Sequence, residues 1–575
     1  MTPHPGPGWG VSVLKTPDIA NFDALMFFAE RIPADASWRA SLGAVLLAAV
    51  LGGAPRTVTA DTPSVAAQSA PRLVLRELAF SGNSVISTAQ LMATAAPFLG
   101  HGLADADLDA LLQRLTGLYL QAGFSTSRAT LPVQDMRDGL LRIEVVEGFL
   151  EKIVVNGARA QDPAYIAQRL QAGLTTPLNV AALNANLRLL MQERGVGDIS
   201  AELKPGSRRG GAVLEVTVVE GARYTGGLRV ANDRAPAVGG IRGAFEGTAH
   251  NLLGRGDQVD LTVGLASGLN DLDFRINVPW SATGPELSLR YFRAVSQLVE
   301  EQFEVFGAET RSSALNLGLS QNLWQDARHQ LKLSVDVVGK RSESTLLGLP
   351  FSFSPGVENG KAAVRVARLG LQWQQRHARD SLSARAVWSL GIGGLGATMH
   401  SSDLPDSQFH SGYLSLQWLH TLGPRAGSLY ARGEAQISND GLLPLEKFSL
   451  GGVNSVRGYR RSRYVRDEGW SASFEYRLPL ARLALPRVSR RANDGQLSLV
   501  LFVDAGRAWN HGEDNLDLLD KPDTLLGAGP GLRWDIAADT HAEIMWGGLR
   551  RHVADTGGDV QDSGLHFMVN AHQSF

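Results

Sequence analysis

From Ala222 to Phe575 the chain alternates apolar and polar positions with a period of two and has almost no helical periodicity. Asp257 to Ala266, Leu272 to Val278, Glu286 to Ala294 and Gln330 to Val338 follow the pattern, as do Gly412 to His420, Ser428 to Ile437, Ser471 to Leu480 and Gly564 to Phe575. Successive side chains of a strand point to opposite faces, so this is the signature of strands apolar on one side only. Strands that cross an outer membrane need roughly 9–11 tilted residues, and bacterial barrels use an even number of them. The tract holds 354 residues, and sixteen strands would leave about 22 for each strand with its connection. A mostly β fold is therefore predicted: a sixteen-stranded antiparallel transmembrane β-barrel over 222–575, with several long loops. The stretch from Glu300 to Arg311 resists assignment.

Two helical stripes precede the tract. Leu108, Leu111, Leu112, Leu115, Leu118 and Tyr119 form one helix face before Gly123, and Leu183, Leu187, Leu190 and Met191 form another before Gly195. Each stripe lies in a unit reading strand, helix, helix, strand, strand, and each unit ends in Val-Val-Glu-Gly, at 145–148 and 218–221. In the first unit Ser87 and Gln90 predict a capping box. The units, 73–148 and 149–221, are expected to be two small α+β domains with their own cores.

Residues 1–60 are expected to be a leader. Leu42 to Ala54 is an apolar run of 13 residues after Arg31 and Arg39, followed by Val58-Thr59-Ala60, small residues at signal-peptidase spacing. The run is short of the roughly 20 residues that a spanning helix needs. A tether over 61–72 contains Pro63 and Pro71, which oppose a helix.

Composition removes alternatives. With 55 basic against 57 acidic residues, nothing argues for a nucleic-acid partner. No cysteine is present, which excludes thiolate metal sites and disulfides. His250, His329 and His377 lack metal-ligand spacing and read as rim or lumen residues, so neither metal nor cofactor is expected. Gly391-Ile392-Gly393-Gly394-Leu395-Gly396 fits a dinucleotide fingerprint only in letters. Alternating segments flank it where a βαβ unit would be required, so it reads as a glycine-rich hairpin. No grouping of serine, histidine and acid marks a hydrolase, and no enzymatic activity is expected.

One glycine-rich stretch interrupts the alternation. Gly451-Gly452-Val453-Asn454-Ser455-Val456-Arg457-Gly458-Tyr459 continues to Trp470, giving a loop over 451–470. Beyond it, Ser498, Val500, Phe502, Asp504 and Gly506 share one strand face, and Leu497, Leu499, Leu501 and Val503 the other. The second face is apolar, as a lipid-facing surface must be, which turns Asp504 inward. Ser473, Glu475 and Arg477 likewise point inward, opposite Phe474, Tyr476, Leu478 and Leu480, and Trp470 and Tyr476 suit the aromatic girdles. A planar guanidinium can grip a carboxylate through two hydrogen bonds, so Arg457 is a candidate partner for Asp504.

The Val-Arg-Gly-Tyr tip at 456–459, the Phe-x-Asp-x-Gly strand motif at Phe502, Asp504 and Gly506, and the tandem modules resemble an outer-membrane superfamily that includes the assembly factor BAM. Two modules match its two-partner secretion transporters of hemolysin-activator (ShlB/FhaC/HecB) type. The resemblance implies that 73–148 and 149–221 are periplasmic POTRA domains. It also implies that 451–470 is a pore loop whose Arg457 pairs with Asp504. It further implies translocation of one large β-helical exoprotein, a hemolysin or adhesin with an N-terminal secretion domain, through a monomeric barrel in outer-membrane lipid. Leu565, Phe567, Val569, Ala571, Gln573 and Phe575 share a face, and the terminal Phe575 resembles the signal read by the barrel-assembly machinery. Many members begin with a pore-plugging helix, for which 61–72 is too short, so the loop is expected to be the main obstruction. A barrel-assembly insertase and a diffusion porin are the alternatives. The number of modules argues against the first, and their presence against the second.

Overall fold

The computed structural model describes residues 73–575 apart from 101, 136–138, 194, 513–522 and 552–557. The expected leader (1–60) and tether (61–72) lie outside the described residues. Sixteen strands, from Tyr224–Ala231 to Leu565–Ser574, close into one antiparallel barrel, with two two-residue strands paired at its margin. The barrel shuts where Met568 to Ser574 pair with Ala231 back to Thr225. Closure satisfies every edge, which a sheet in hydrocarbon requires.

The alternation sorts side chains as the pleat demands. Leu501 and Val503 are 46% and 61% exposed, Phe474 and Leu480 47% and 51%, whereas Val500, Phe502, Asp504, Ser473 and Glu475 are buried. The exposed apolar face is the lipid face. Several strands run past the membrane requirement. Glu309–Gln325 and His329–Leu346 have 17 and 18 residues, because the ladder continues into the outer loops. The unassigned stretch holds a short helix, Glu301–Glu304, and the start of a strand at Glu309. The glycine run at 391–396 opens the connection of an antiparallel strand pair, as a hairpin would, but the loop is long and returns only at His410.

Each module is a three-stranded sheet under two helices. In the first, Glu77–Ser81 pairs parallel with Leu140–Val146, which pairs antiparallel with Arg128–Thr130. In the second, Phe149–Asn156 pairs parallel with Gly211–Glu220, and Val196–Pro205 antiparallel with it. Ser87 and Gln90 form the capping box on Thr88–Ala95. The Leu108-to-Tyr119 stripe fills the first core. Leu183, Leu187 and Leu190 enter the second, but Met191 caps the helix and is 39% exposed. A stripe of period 3.6 drifts off its face in the last turn.

The repeated Val-Val-Glu-Gly ending has a structural task in both modules. Glu147 accepts from the Ser84 and Val85 N–H groups (2.7 and 3.2 Å), the Ser84 hydroxyl, and Tyr119 (3.0 Å). Glu220 accepts from Arg159, Ala160 and Gln161 N–H (2.8, 2.7 and 2.9 Å). Each glutamate thus pins the loop after its module's first strand. Burial raises both carboxyls, and these hydrogen bonds outweigh it, leaving them below the ordinary value. A depressed folded value means stability present above the ordinary carboxyl value and lost as pH falls through the folded one. Glu147→Gln is expected to cost the 73–221 fragment about 1–3 kcal/mol at neutral pH. In urea melts, the gap to wild type should narrow as pH drops below 4.5, the ordinary value. A gap independent of pH would contradict this account.

The modules are joined without slack. Leu178 N–H donates to Gly148 O (2.6 Å), Val180 N–H to Gly123 O (2.9 Å), and Arg209 pairs with Glu144 (2.9 Å). The second module sits against two barrel turns. Asp162 N–H donates to Gly254 O (2.8 Å) and Arg169 to Ala282 O (3.0 Å).

Candidate functional site: a loop clasped inside the barrel

The connection between strands Gly427–Ser438 and Glu468–Arg482 spans 439–467. It begins earlier than the sequence pattern indicated, and Glu468 to Trp470 belong to the following strand. It turns back into the barrel, stiffened by a short ribbon pairing Phe448–Leu450 with Tyr464–Arg466. Gly451 and Gly452 have φ of 107° and 94°, and Gly458 has 93°, left-handed conformations that favour glycine. Ser455 Oγ accepts from Gly451 N–H (2.7 Å), and Gly452 N–H donates to Val456 O (3.0 Å), tightening the tip.

Arg457 stands at that tip, 3% exposed, facing three inward residues of two neighbouring strands. Its Nε and Nη2 donate to the two oxygens of Asp504 (2.8 and 2.7 Å), and its backbone N–H donates to Asp504 as well (2.9 Å). Nη1 donates to Glu475 (2.6 Å) and Nη2 to Ser473 Oγ (2.8 Å). The guanidinium lies over the Phe502 ring at 3.8 Å, a cation–π contact. Strand register explains the assembly, since Ser473 is opposite Asp504 and Glu475 opposite Phe502. One guanidinium therefore meets two carboxylates, and Arg477 meets the second oxygen of Glu475 (2.8 Å). Asp504 is fully buried and Glu475 5% exposed, so charge balance within the cluster carries its cost of desolvation.

The tip rests on glycine. A Cβ at Gly527 would stand 2.1 Å from Arg457 O, and one at Gly547 would stand 2.4 Å from Gly458 Cα. Gly506 lies under Leu450 and Val456 in the same way. Gly458 N–H donates to His566 Nε2 (3.2 Å), and Arg550 donates to Gly458 O (2.9 Å). The Tyr459 hydroxyl donates to Leu526 O (2.8 Å) and accepts from Arg551 N–H (2.8 Å). Arg460 pairs with Asp562 (2.8 Å) and Glu300 (2.7 Å), tying the loop to two outer loops. The tip is thus wedged against one arc of the barrel wall, from strand Glu468–Arg482 to strand Leu565–Ser574.

A second anchor holds the beginning of the loop to other strands. Glu446, fully buried, accepts from Lys340 (2.8 Å) and Arg368 (2.8 Å) on strands His329–Leu346 and Lys361–Arg376. Leu442, Leu443 and Leu445 pack there on Val338, Val364, Val366 and Phe409. Between the two anchors the loop crosses the lumen. Nothing local marks Glu446, Lys340 or Arg368, which are single charges in alternating or loop sequence. His566 and Gly547 likewise stand in no distinctive motif. The Gly527, Gly529 and Gly531 alternation on one strand face could have marked the floor under the tip.

Phe575 lies away from this cluster. It is 73% exposed at the end of the closing strand, where its backbone N–H donates to Tyr224 O (2.8 Å) and its carbonyl accepts from Arg223 N–H (3.1 Å).

Comparison with known proteins places this architecture. Residues 210–534 match the family model of haemolysin secretion/activation protein ShlB/FhaC/HecB, and residues 73–148 match the POTRA domain, ShlB-type. The chain is 24% identical to the outer membrane transporter CdiB of Dickeya dadantii over 486 residues, covering 81% of each chain. It is 24% identical to the hemolysin transporter protein ShlB of Serratia marcescens over 413 residues, 70% of this chain and 72% of that one. The solved structure of CdiB from Escherichia coli shares the fold with a TM-score of 0.65 at 21% identity, covering 98% of this chain and all of that one. With more than half of its length in one family model, this chain belongs to the ShlB/FhaC/HecB family of two-partner secretion transporters, outer-membrane translocators and not enzymes, with POTRA domains in the periplasm.

Proposed function

We propose that this protein exports one large β-helical exoprotein of hemolysin or adhesin type, recognised through an N-terminal secretion domain. The observation that carries the reading is the clasped loop of a family transporter, buried inside the barrel and held there by two ionic anchors. In this reading Arg457, Gly458 and Tyr459 with Gly451, Gly452 and Val456 form a pore loop, and Phe502, Asp504 and Gly506 form its seat on the wall. The modules catch the unfolded cargo in the periplasm. In the second module, Phe149–Asn156 and Val196–Pro205 are edge strands of eight and ten residues. An extended segment adds to such an edge through backbone hydrogen bonds. Folding of the cargo outside then biases its direction, without a nucleotide. Phe575 serves as the assembly signal for the barrel-assembly machinery, and the barrel works as a monomer.

Removing residues 73–148 tests the reading, because the first module has its own core. A heat-modifiable barrel should still reach the outer membrane, while secretion of an exoprotein encoded beside the gene falls to background. Continued export by that deletion protein would defeat the proposal.

A further inference from the structure

Four consecutive barrel turns at the periplasmic end, 326–328, 377–379, 424–426 and 483–495, expose Arg328, Arg379, Arg425, Arg487, Arg490 and Arg491. The second module occupies the two turns on another part of the rim, around Gly254 and Ala282, and leaves this arc uncovered. The first three turns have three residues each, but the fourth has thirteen. That long turn is ordered from within. Asp494, buried, accepts from the Arg490 and Arg491 N–H groups (2.7 and 2.8 Å), and Ser489 Oγ donates to Ile536 O (2.6 Å). Its acid is thus turned inward while its arginines face out.

Apolar and aromatic groups line the same arc. Leu480, Leu483, Leu485 and Val488 are 51%, 50%, 39% and 44% exposed, carrying the lipid-facing stripe of strand Glu468–Arg482 off its end and onto the turn. Trp324, Trp373, Trp418 and Trp534 sit near the periplasmic ends of the strands beside these turns. The Trp534 indole donates to Leu483 O (3.0 Å), which ties the turn to the belt. Tryptophan at that depth marks the boundary between hydrocarbon and headgroups. An arginine just beyond it keeps its stem in the apolar layer and its guanidinium among the headgroups. Guanidinium forks suit phosphate oxygens.

We propose that this arc of the rim binds anionic phospholipid headgroups of the periplasm-facing leaflet, anchoring the barrel on the side its modules leave bare. Continuity with the lipid face selects a membrane lipid over a protein partner, and the excess of exposed arginines over the part-exposed carboxylates Asp326 and Asp380, each of which faces a histidine ring, selects an anionic headgroup over a zwitterionic one. Native mass spectrometry of the full-length protein, titrated with phosphatidylglycerol or phosphatidylethanolamine, tests it. Wild type should retain phosphatidylglycerol preferentially. Arg487→Gln/Arg490→Gln/Arg491→Gln should lower that retention by about five-fold or more while phosphatidylethanolamine binding stays unchanged. The corresponding triple lysine variant should keep it. Heat modifiability of each variant controls for barrel assembly. Equal retention of the two lipids by wild type, or an assembled glutamine variant that holds phosphatidylglycerol as wild type does, would overturn the proposal. So would a glutamine variant that keeps the lipid but loses export, which would give the surface to the exported polypeptide.

Discussion

An Arg457→Ala protein should assemble as a heat-modifiable barrel at wild-type levels and secrete about a tenth or less of the cargo. The variant leaves Asp504, 0% exposed, without its guanidinium and facing the charge of Glu475, which keeps only Arg477. Stripping one partner from a buried ionic cluster costs about 3–5 kcal/mol, enough to shift the seating of the loop by two or more decades. An open, water-filled lumen would soften that loss, but here the loop itself excludes water from Asp504. The strand ladders are untouched, so the cost falls on the loop and not on the barrel. Arg457→Lys should be intermediate, since an ammonium keeps the charge but loses the fork that spans Asp504, Glu475 and Ser473. Assays of secreted cargo against outer-membrane levels of the transporter decide the matter. Wild-type export by an assembled Arg457→Ala protein would remove the clasp from the mechanism.

Replacing residues 441–466 with a short Gly-Ser linker should give a large, steady conductance in planar bilayers. A barrel of sixteen strands encloses an aqueous channel unless something fills it. Leu442, Leu443, Leu445, Phe448, Leu450, Val456 and Tyr459 of the loop are each no more than 3% exposed, so the loop is packed into the lumen like a core. Deleting residues 61–72 should change conductance little by comparison. A tether deletion that alone opens the channel would show that the obstruction lies elsewhere. Glu446→Gln is the informative companion, because it loosens the second anchor while leaving the Arg457 cluster intact.

The barrel was legible because its lipid face obliges every second residue to be apolar over long runs. Leu497 to Val503 announce their strand without help from elsewhere. Arg457 and Asp504 were legible because each sits in a short distinctive motif. Glu475 and Ser473 could be turned inward by alternation, yet nothing local said that they would share the same guanidinium. The Glu446 anchor was illegible for a deeper reason. Lys340 and Glu446 are over a hundred positions apart, and an inward lysine on a barrel strand looks the same whether it meets water or a buried carboxylate. Met191 is the opposite case, continuing the helical stripe in sequence but standing one residue past the turn that can still face the core.

The glutamates that end the modules also set a timetable. Glu147 lies 63 residues after the Ser84 loop that it pins, and Glu220 lies 59 to 61 residues after its own. A chain delivered N-terminus first into the periplasm must expose each loop long before the carboxylate that secures it arrives. Each module therefore stays unlocked until its final residues emerge, and the first locks before the second. The barrel segment follows both, so the residues that secure the periplasmic arm emerge before any of the part that enters the membrane.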